Sequence, residues 1–235
     1  MSMFGHYTKL FEEIGCLEVR PAIPEQDFPE HLPSTNALAF YQDPNTNDGI
    51  LWDYWITKRN PSCPKGVIHV GAHDLAERMC YVPMFGENVI WFEANAQSYN
   101  KWAHPIAQYF GQYAFPFAAS DETGECDYYQ NHSNDTSGLL PINQISGNNA
   151  VTKVKQKRLD DVIDEYDINM ANFDFLNIDV EGAELKVLKG IEKNLHHINY
   201  LFMEVSVTER NTGQVIFEDL NDYVNEKGFK MVKVS

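Results

Sequence analysis

Three stretches of this sequence carry residue types that can hold a ligand or move a proton. In Val67–Met79 (VIHVGAHDLAERM) an apolar run ends in Gly71 and Ala72, small enough to let a ligand approach the backbone. The N–H groups of a helix that follows such a turn can bind polar ligand atoms. The stretch lacks the three glycines of a GxGxxG fingerprint and the lysine of a phosphate loop, which argues against a pyrophosphate ligand. Some twenty residues on, Glu93 ends a second apolar run in WFEAN. A carboxylate there can accept hydrogen bonds from both hydroxyls of a ribose. In the third stretch, Phe175–Leu188 (FLNIDVEGAELKVL), an apolar strand stops at Asp179 and a helix begins near Gly182. Ligands of open parallel sheets bind beyond the carboxyl ends of strands, so Asp179 and Glu181 should project into that crevice as candidates for general base or acceptor orientation. The competing reading is that both acids cap the helix and offset its dipole. Glu204, after a further apolar run, is a candidate contact to an acceptor or a metal; a hard divalent cation held by such oxygens would acidify a hydroxyl, but no other feature of the sequence supports one. His69 and His73 are four apart, yet Gly71 and Ala72 between them break the helical geometry of a metal-binding pair. His196 and His197 read as residues near a helix C-terminus, where an imidazole meets the dipole favourably.

These groups need a parallel sheet to bring them together, and the sequence after Pro64 has the alternation of βαβ units. Short apolar runs predict strands at Gly66–Val70, Asn88–Phe92, Tyr113–Ala118, Phe173–Ile178, Tyr200–Val205 and Phe229–Val234. The third is the least regular, because Pro116 cannot donate to a ladder. After the turn Asp121–Gly124, two extra strands are expected at Cys126–Gln130 and Val151–Lys157, inserted between the third and fourth core strands. Asn131–Ala150 between them, rich in Asn, Ser and Gly, reads as a long loop of the kind that often serves function. The expected fold class is α/β and Rossmann-like, a mostly parallel twisted sheet with helices on both faces.

Residues 1–64 read as an accessory N-terminal extension, and residues 65–235 as the main domain. Prolines at 21, 24, 29, 33, 44, 61 and 64 deny the extension long helices. Within it, Ile50–Arg59 (ILWDYWITKR) is aromatic enough to be a helix packed on the sheet. The formal charge of −16, from 34 acidic against 18 basic side chains, repels phosphate backbones and anionic headgroups, so no nucleic-acid partner is expected. Cys16, Cys63, Cys80 and Cys126 are widely spaced, as reduced thiols of a cytosolic protein would be. No apolar run approaches the roughly 20 residues that cross a bilayer, and Met1–Lys9 does not resemble an export signal, so the chain reads as cytoplasmic without membrane insertion. Oligomeric state has no signature here.

Taken in order, VIHVGAH, WFEAN, AASDETGE, SNDTSGLL, RLDDVID, FLNIDVEGAELKVLKG and FMEVS resemble the FkbM-type methyltransferases that use S-adenosylmethionine, over about residues 66 to 228. The match is most specific at Ile178–Gly190. The resemblance implies a class I methyltransferase fold and O-methylation of a sugar, glycolipid or polyketide-like hydroxyl, with a small-molecule or glycan acceptor. It implies that Gly71, Ala72 and His73 lie under the methionine part, that Glu93, in WFEAN with Ala94, holds the ribose, and that Ala119, Ser120 and Asp121 border the adenine. Asp179 and Glu181 would then face the transferred methyl. Many members have an Asp where His69 stands, which moves the ammonium contact to Glu77 or another acid. The loop reads Thr136, Ser137, Gly138 where a serine-rich run is usual, and these residues are the candidate acceptor contacts. Such domains normally add an antiparallel seventh strand, whereas this sequence ends at Ser235 after the sixth. Two other readings remain open: a dinucleotide-dependent oxidoreductase, against which the missing GxGxxG counts, and a non-catalytic module that binds a glycan or protein on the same fold.

Overall fold

The computed structural model describes residues 19–21, 54–56, 64–131, 137–141 and 149–230. Two short strands, β1 (Val19–Pro21) and β2 (Tyr54–Ile56), pair antiparallel. Tyr54–Ile56 is therefore strand where a helix was expected across Ile50–Arg59; an aromatic and β-branched run suits a pleated surface, and it has found a partner more than thirty residues away. The remainder of that stretch lies outside the described residues.

The main body follows in chain order. β3 (Val67–Val70), α1 (Arg78–Phe85) and β4 (Val89–Phe92) come first. α2 (Ala96–Ser98) then runs through a π turn (Tyr99–Ala103) into α3 (His104–Tyr109), and β5 (Tyr113–Phe115) follows. The inserted strands are β6 (Ala118–Ala119), β7 (Gly124–Asn131) and β8 (Asn149–Lys157). α4 (Leu159–Glu165), β9 (Phe175–Ile178), α5 (Glu184–Gly190), β10 (Tyr200–Met203) and α6 (Phe217–Glu226) complete the order. Five strands form one sheet in the order β10-β9-β3-β4-β5, every neighbouring pair parallel. The inserted strands form a second sheet, β6-β8-β7, in which β8 is parallel to β6 and antiparallel to β7.

Both faces of the main sheet are covered, which is why its central strands read as apolar runs broken only by His69 and Asn177. Odd-numbered residues Val67, Val89, Trp91 and Phe175 pack on Tyr81 and Phe85 of α1 and on Ala103, Ile106 and Ala107. Even-numbered Ile68, Val70, Ile90, Phe92, Leu176 and Ile178 pack on Leu159, Val162, Val187, Leu188, Leu220 and Val224 of α4, α5 and α6.

The expected third strand is split in two. Pro116 has no N–H for the ladder, so β5 ends at Phe115 and Ala118–Ala119 pairs in the second sheet instead. Of the expected sixth strand, Phe229 and Lys230 carry no regular structure, and the rest lies outside the described residues. Cys126 is a free thiol. Among the described residues no helix is long and apolar enough to cross a membrane.

Candidate functional site

The site is built from one row of residues across the sheet. Val70, Phe92, Ile178 and Met203 are in register at the carboxyl ends of β3, β4, β9 and β10. The next residue on each strand extends the ladder by one bond: Glu204 N–H donates to Ile178 O at 3.1 Å, Asp179 to Val70 O at 2.9 Å, Gly71 to Phe92 O at 3.0 Å and Glu93 to Phe115 O at 3.1 Å. Glu204, Asp179, Gly71 and Glu93 therefore stand side by side, about 5 Å from strand to strand, although 133 positions separate the first from the last in sequence (204 − 71 = 133).

Glu93 is 5% exposed and fixed at both oxygens: His73 N–H donates to Oε2 and Asn95 N–H to Oε1, each at 2.6 Å. Burial raises its pKa and these two amides oppose the rise. Ala94 continues that turn, half-buried, into the Asn95 side chain that caps α2. The Gly71 turn differs from what was expected of it. Its amides are consumed within the protein, those of Gly71 and Ala72 by Phe92 O and that of His73 by Glu93, and the helix begins only at Arg78. The open side of Gly71 is filled by chain: a Cβ there would lie 1.7 Å from Asp179 O. Gly71 is thus needed so that the two turns can touch, and a ligand at this turn would meet its outer surface, where His73 is exposed.

Asp179, Glu181 and Glu204 converge, with one oxygen of each within 4.8 Å of the others, a spacing that could also hold a cation. Burial raises the Asp179 pKa well above its ordinary value, and the negative charges of Glu204, Glu181 and Glu77 add to it. The Asp179 carboxyl is hydrogen-bonded to Glu204. The capping alternative fails for both turn acids: the N-cap of α5 is Ala183, without a side-chain cap, and Gly182 N–H donates instead to Glu184 Oε1 at 2.9 Å. Glu184 is the acid that sequence reasoning passed over. Its position two residues after Gly182, at a helix start, was the available signal. Glu181 has φ 56 in the left-handed region, and Asn211 Nδ2 donates to its carbonyl at 3.1 Å. His73 and Leu75 on the other turn also have positive φ; among the described non-glycine residues the remaining one, Asp167, lies beyond α4.

Glu77 is 6% exposed ahead of α1, and burial pushes it up to about 7. Ala119 and Ser120 are buried; Asp121, beside them, pairs with Lys186 of α5 at 3.7 Å. Arg158 ties this segment to the end of α5, donating to Asp121 O and Lys189 O, each at 2.7 Å. Gly138 sits against the acid turn, since a Cβ on it would lie 3.2 Å from Val180 O, and Ser137 before it accepts from Asn131 N–H at 3.0 Å. Thr136 lies outside the described residues. His69 is not part of the site: it is 1% exposed, its Nδ1 is 2.8 Å from Asn177 Nδ2 and 3.2 Å from the Tyr81 hydroxyl, and burial pulls its pKa down to about 3.

A family model described as the methyltransferase FkbM domain matches residues 69–231. Among solved structures, the chain is similar to the crystal structure of methyltransferase FkbM from Methylobacillus flagellatus KT, at 16% identity and a TM-score of 0.45 over 68% of this chain. The alignment spans 36% of that protein's chain. No curated protein matches this sequence.

Proposed function

The chain belongs to the FkbM methyltransferase family, and from that premise we propose that it transfers the methyl group of S-adenosylmethionine to a hydroxyl of a sugar, glycan or related natural product. The observation that carries this reading is the strand-end row, in which a buried ribose-type carboxylate, Glu93, and an acid cluster at Asp179 flank the Gly71 turn. The donor chemistry fits the cofactor. Each Glu93 oxygen spends one lone-pair direction on a backbone amide, which leaves capacity for two ribose hydroxyls. The acids at 77, 179, 181 and 204 favour a ligand bearing sulfonium and ammonium charge and disfavour the pyrophosphate of a dinucleotide.

When bound, S-adenosylmethionine supplies an electrophilic methyl group. In this reading Gly71, Ala72, His73 and Glu77 border its methionine end, Glu93 with Ala94 holds the ribose, and Ala119, Ser120 and Asp121 border the adenine. Asp179 takes the proton of the acceptor hydroxyl or orients it, with Glu181 second in that role and Glu204, Thr136 and Ser137 as acceptor contacts. A base that deprotonates a hydroxyl needs a raised proton affinity, which burial and the adjoining carboxylates give Asp179. The proton that Asp179 shares with Glu204 must leave the pair before Asp179 can take that of the acceptor.

The test is incubation with labelled S-adenosylmethionine and a panel of saccharides, products identified by mass spectrometry, beside calorimetric titration with S-adenosylhomocysteine. Asp179→Asn and Glu181→Gln are expected to keep affinity for S-adenosylhomocysteine and lose turnover, by about 10²–10⁴-fold if Asp179 is the base. Glu93→Ala is expected to weaken cofactor binding. Folded wild-type protein that binds neither cofactor nor product would overturn the reading, and full turnover by both acid variants would remove their role.

A further inference from the structure

β7 is tied to the acid turn through Gly138, which exchanges backbone hydrogen bonds with Tyr129 and stands against Val180 and Glu181. Residues two apart on a strand share a face, and Cys126, Tyr128 and Gln130 form one such set. Cys126 is within electrostatic reach of Lys186, the partner of Asp121. Tyr128, two residues on, is within reach of Glu93 and Glu181. One inserted strand therefore extends from the Asp121 end of the site to the acid cluster. Tyr128 is 6% exposed.

Its hydroxyl is held by a loop seated on the acid turn. Tyr129 and Gly138 exchange backbone hydrogen bonds of 2.9 and 3.1 Å, and a Cβ on Gly138 would stand 3.4 Å from Glu181 Cβ. Asn131 N–H donates to Ser137 Oγ at 3.0 Å, and the Ser137 side chain hydrogen-bonds the Tyr128 phenol. With Ser137 donating to the phenol oxygen, the Tyr128 hydrogen is left for a further acceptor. A phenylalanine would fill the same volume, so the hydroxyl is what distinguishes this position.

We propose that Tyr128 is a cofactor-positioning residue whose phenol, held by Ser137, closes the cleft between Glu93 and the acid turn and donates its hydrogen to a polar atom of the bound S-adenosyl group. This rests on the cofactor assignment above. Burial pushes the phenol up, so it stays a donor throughout the neutral range.

The experiment is calorimetric titration of S-adenosylhomocysteine into the full chain and its Tyr128→Phe, Ser137→Ala and doubly substituted variants, with melting of each ligand-free protein. Tyr128→Phe is expected to weaken binding by about threefold to tenfold, the scale of one neutral hydrogen bond, and to raise KM for the cofactor more than it lowers kcat. The melting temperature falls by no more than a few degrees, and alike in both single variants, the scale of their shared hydrogen bond, while Ser137→Ala has the smaller effect on binding. Wild-type affinity in Tyr128→Phe overturns the proposal alone. Equal losses in the two single variants with no further loss in the double overturn it too, because Tyr128 would then be only a staple for the loop. Absence of binding by the wild-type chain overturns this proposal together with the cofactor reading beneath it.

Discussion

A carboxyl group shielded from water holds its proton more tightly than one in an unfolded chain, and Glu77 is the clearest instance in this protein. Burial is the main cause of its rise from 4.5 to about 7; Asp74 adds to it and Arg78 opposes it. Between those two values the folded protein keeps a proton that the unfolded chain has lost. The contribution is fully present below the unfolded value and disappears as pH climbs through about 7, so stability falls across that window. The full difference is on the order of 3 kcal/mol. Glu77→Gln carries no titrating proton and is expected to be more stable than wild type above the window by up to that amount, measured by urea unfolding on both sides of it. If the methionine ammonium binds beside Glu77, its charge favours the ionised carboxylate. Wild-type affinity for S-adenosylhomocysteine then rises from about pH 6 to about pH 8 while that of the Gln variant stays flat. Flat affinity in wild type would remove Glu77 from the ligand's surroundings. His69 shows the opposite use of burial. Pulled down to about 3, it is a neutral member of a core triad with Tyr81 and Asn177, so its ring serves packing and hydrogen bonding rather than charge.

The two turns that define the site are interlocked at the level of elements. Gly71 has φ +93 and would place a Cβ 1.7 Å from the Asp179 carbonyl oxygen, so Gly71→Ala must both strain its own backbone and push β9 away from β3. The expected cost is on the order of 3 kcal/mol or more, with loss of cofactor binding. Gly213 is the control: its φ of +81 is similar but a Cβ there meets nothing within 4 Å, so Gly213→Ala costs about 1 kcal/mol by denaturant unfolding. Equal costs at the two positions would mean that the interlock is slack. The main strands were legible because VIHV, VIWF and FLNI are buried on both faces, which leaves an apolar signature that needs no partner to be recognised. Their terminal acids were legible for the same reason, each being the first polar group after such a run. Three other features were not. Glu184 rather than Asp179 or Glu181 serves the start of α5, because three acids within six residues can each claim that task from spacing alone. The Gly71 amides turn inward because Phe92 O lies on another strand. Tyr128 joins the site through a loop and an inserted sheet, and local periodicity holds no record of what a strand's inner face will meet. The helix expected across Ile50–Arg59 fails on similar grounds, since a strand at Tyr54–Ile56 depends on a partner at Val19–Pro21.

At the scale of the whole molecule, charge and architecture act in the same direction. The sequence carries a formal charge of −16, and the parallel sheet gathers Glu204, Asp179 and Glu93 onto one edge where Glu77 and Glu181 join them. Tyr128 of the inserted sheet is within electrostatic reach of Glu93 and Glu181 on that edge, and Glu77 and Glu93 are buried, so part of the field is screened less than at an open surface. The consequence distinguishes substrate from product. S-adenosylmethionine carries a sulfonium charge that S-adenosylhomocysteine lacks, so an acid-lined site attracts the substrate more strongly and releases the product after the methyl has left. Measured by calorimetry from about 10 mM to about 300 mM salt, where the screening length shrinks from about 30 Å to below 10 Å, the affinity for S-adenosylmethionine is expected to fall more steeply than that for S-adenosylhomocysteine. Asp179→Asn is expected to bring the two slopes together, because it removes the carboxyl at the centre of the cluster. Parallel slopes in the wild-type protein would mean that the acids do not face the sulfonium, and Asp179 would then have to act on the acceptor from outside the cofactor's field.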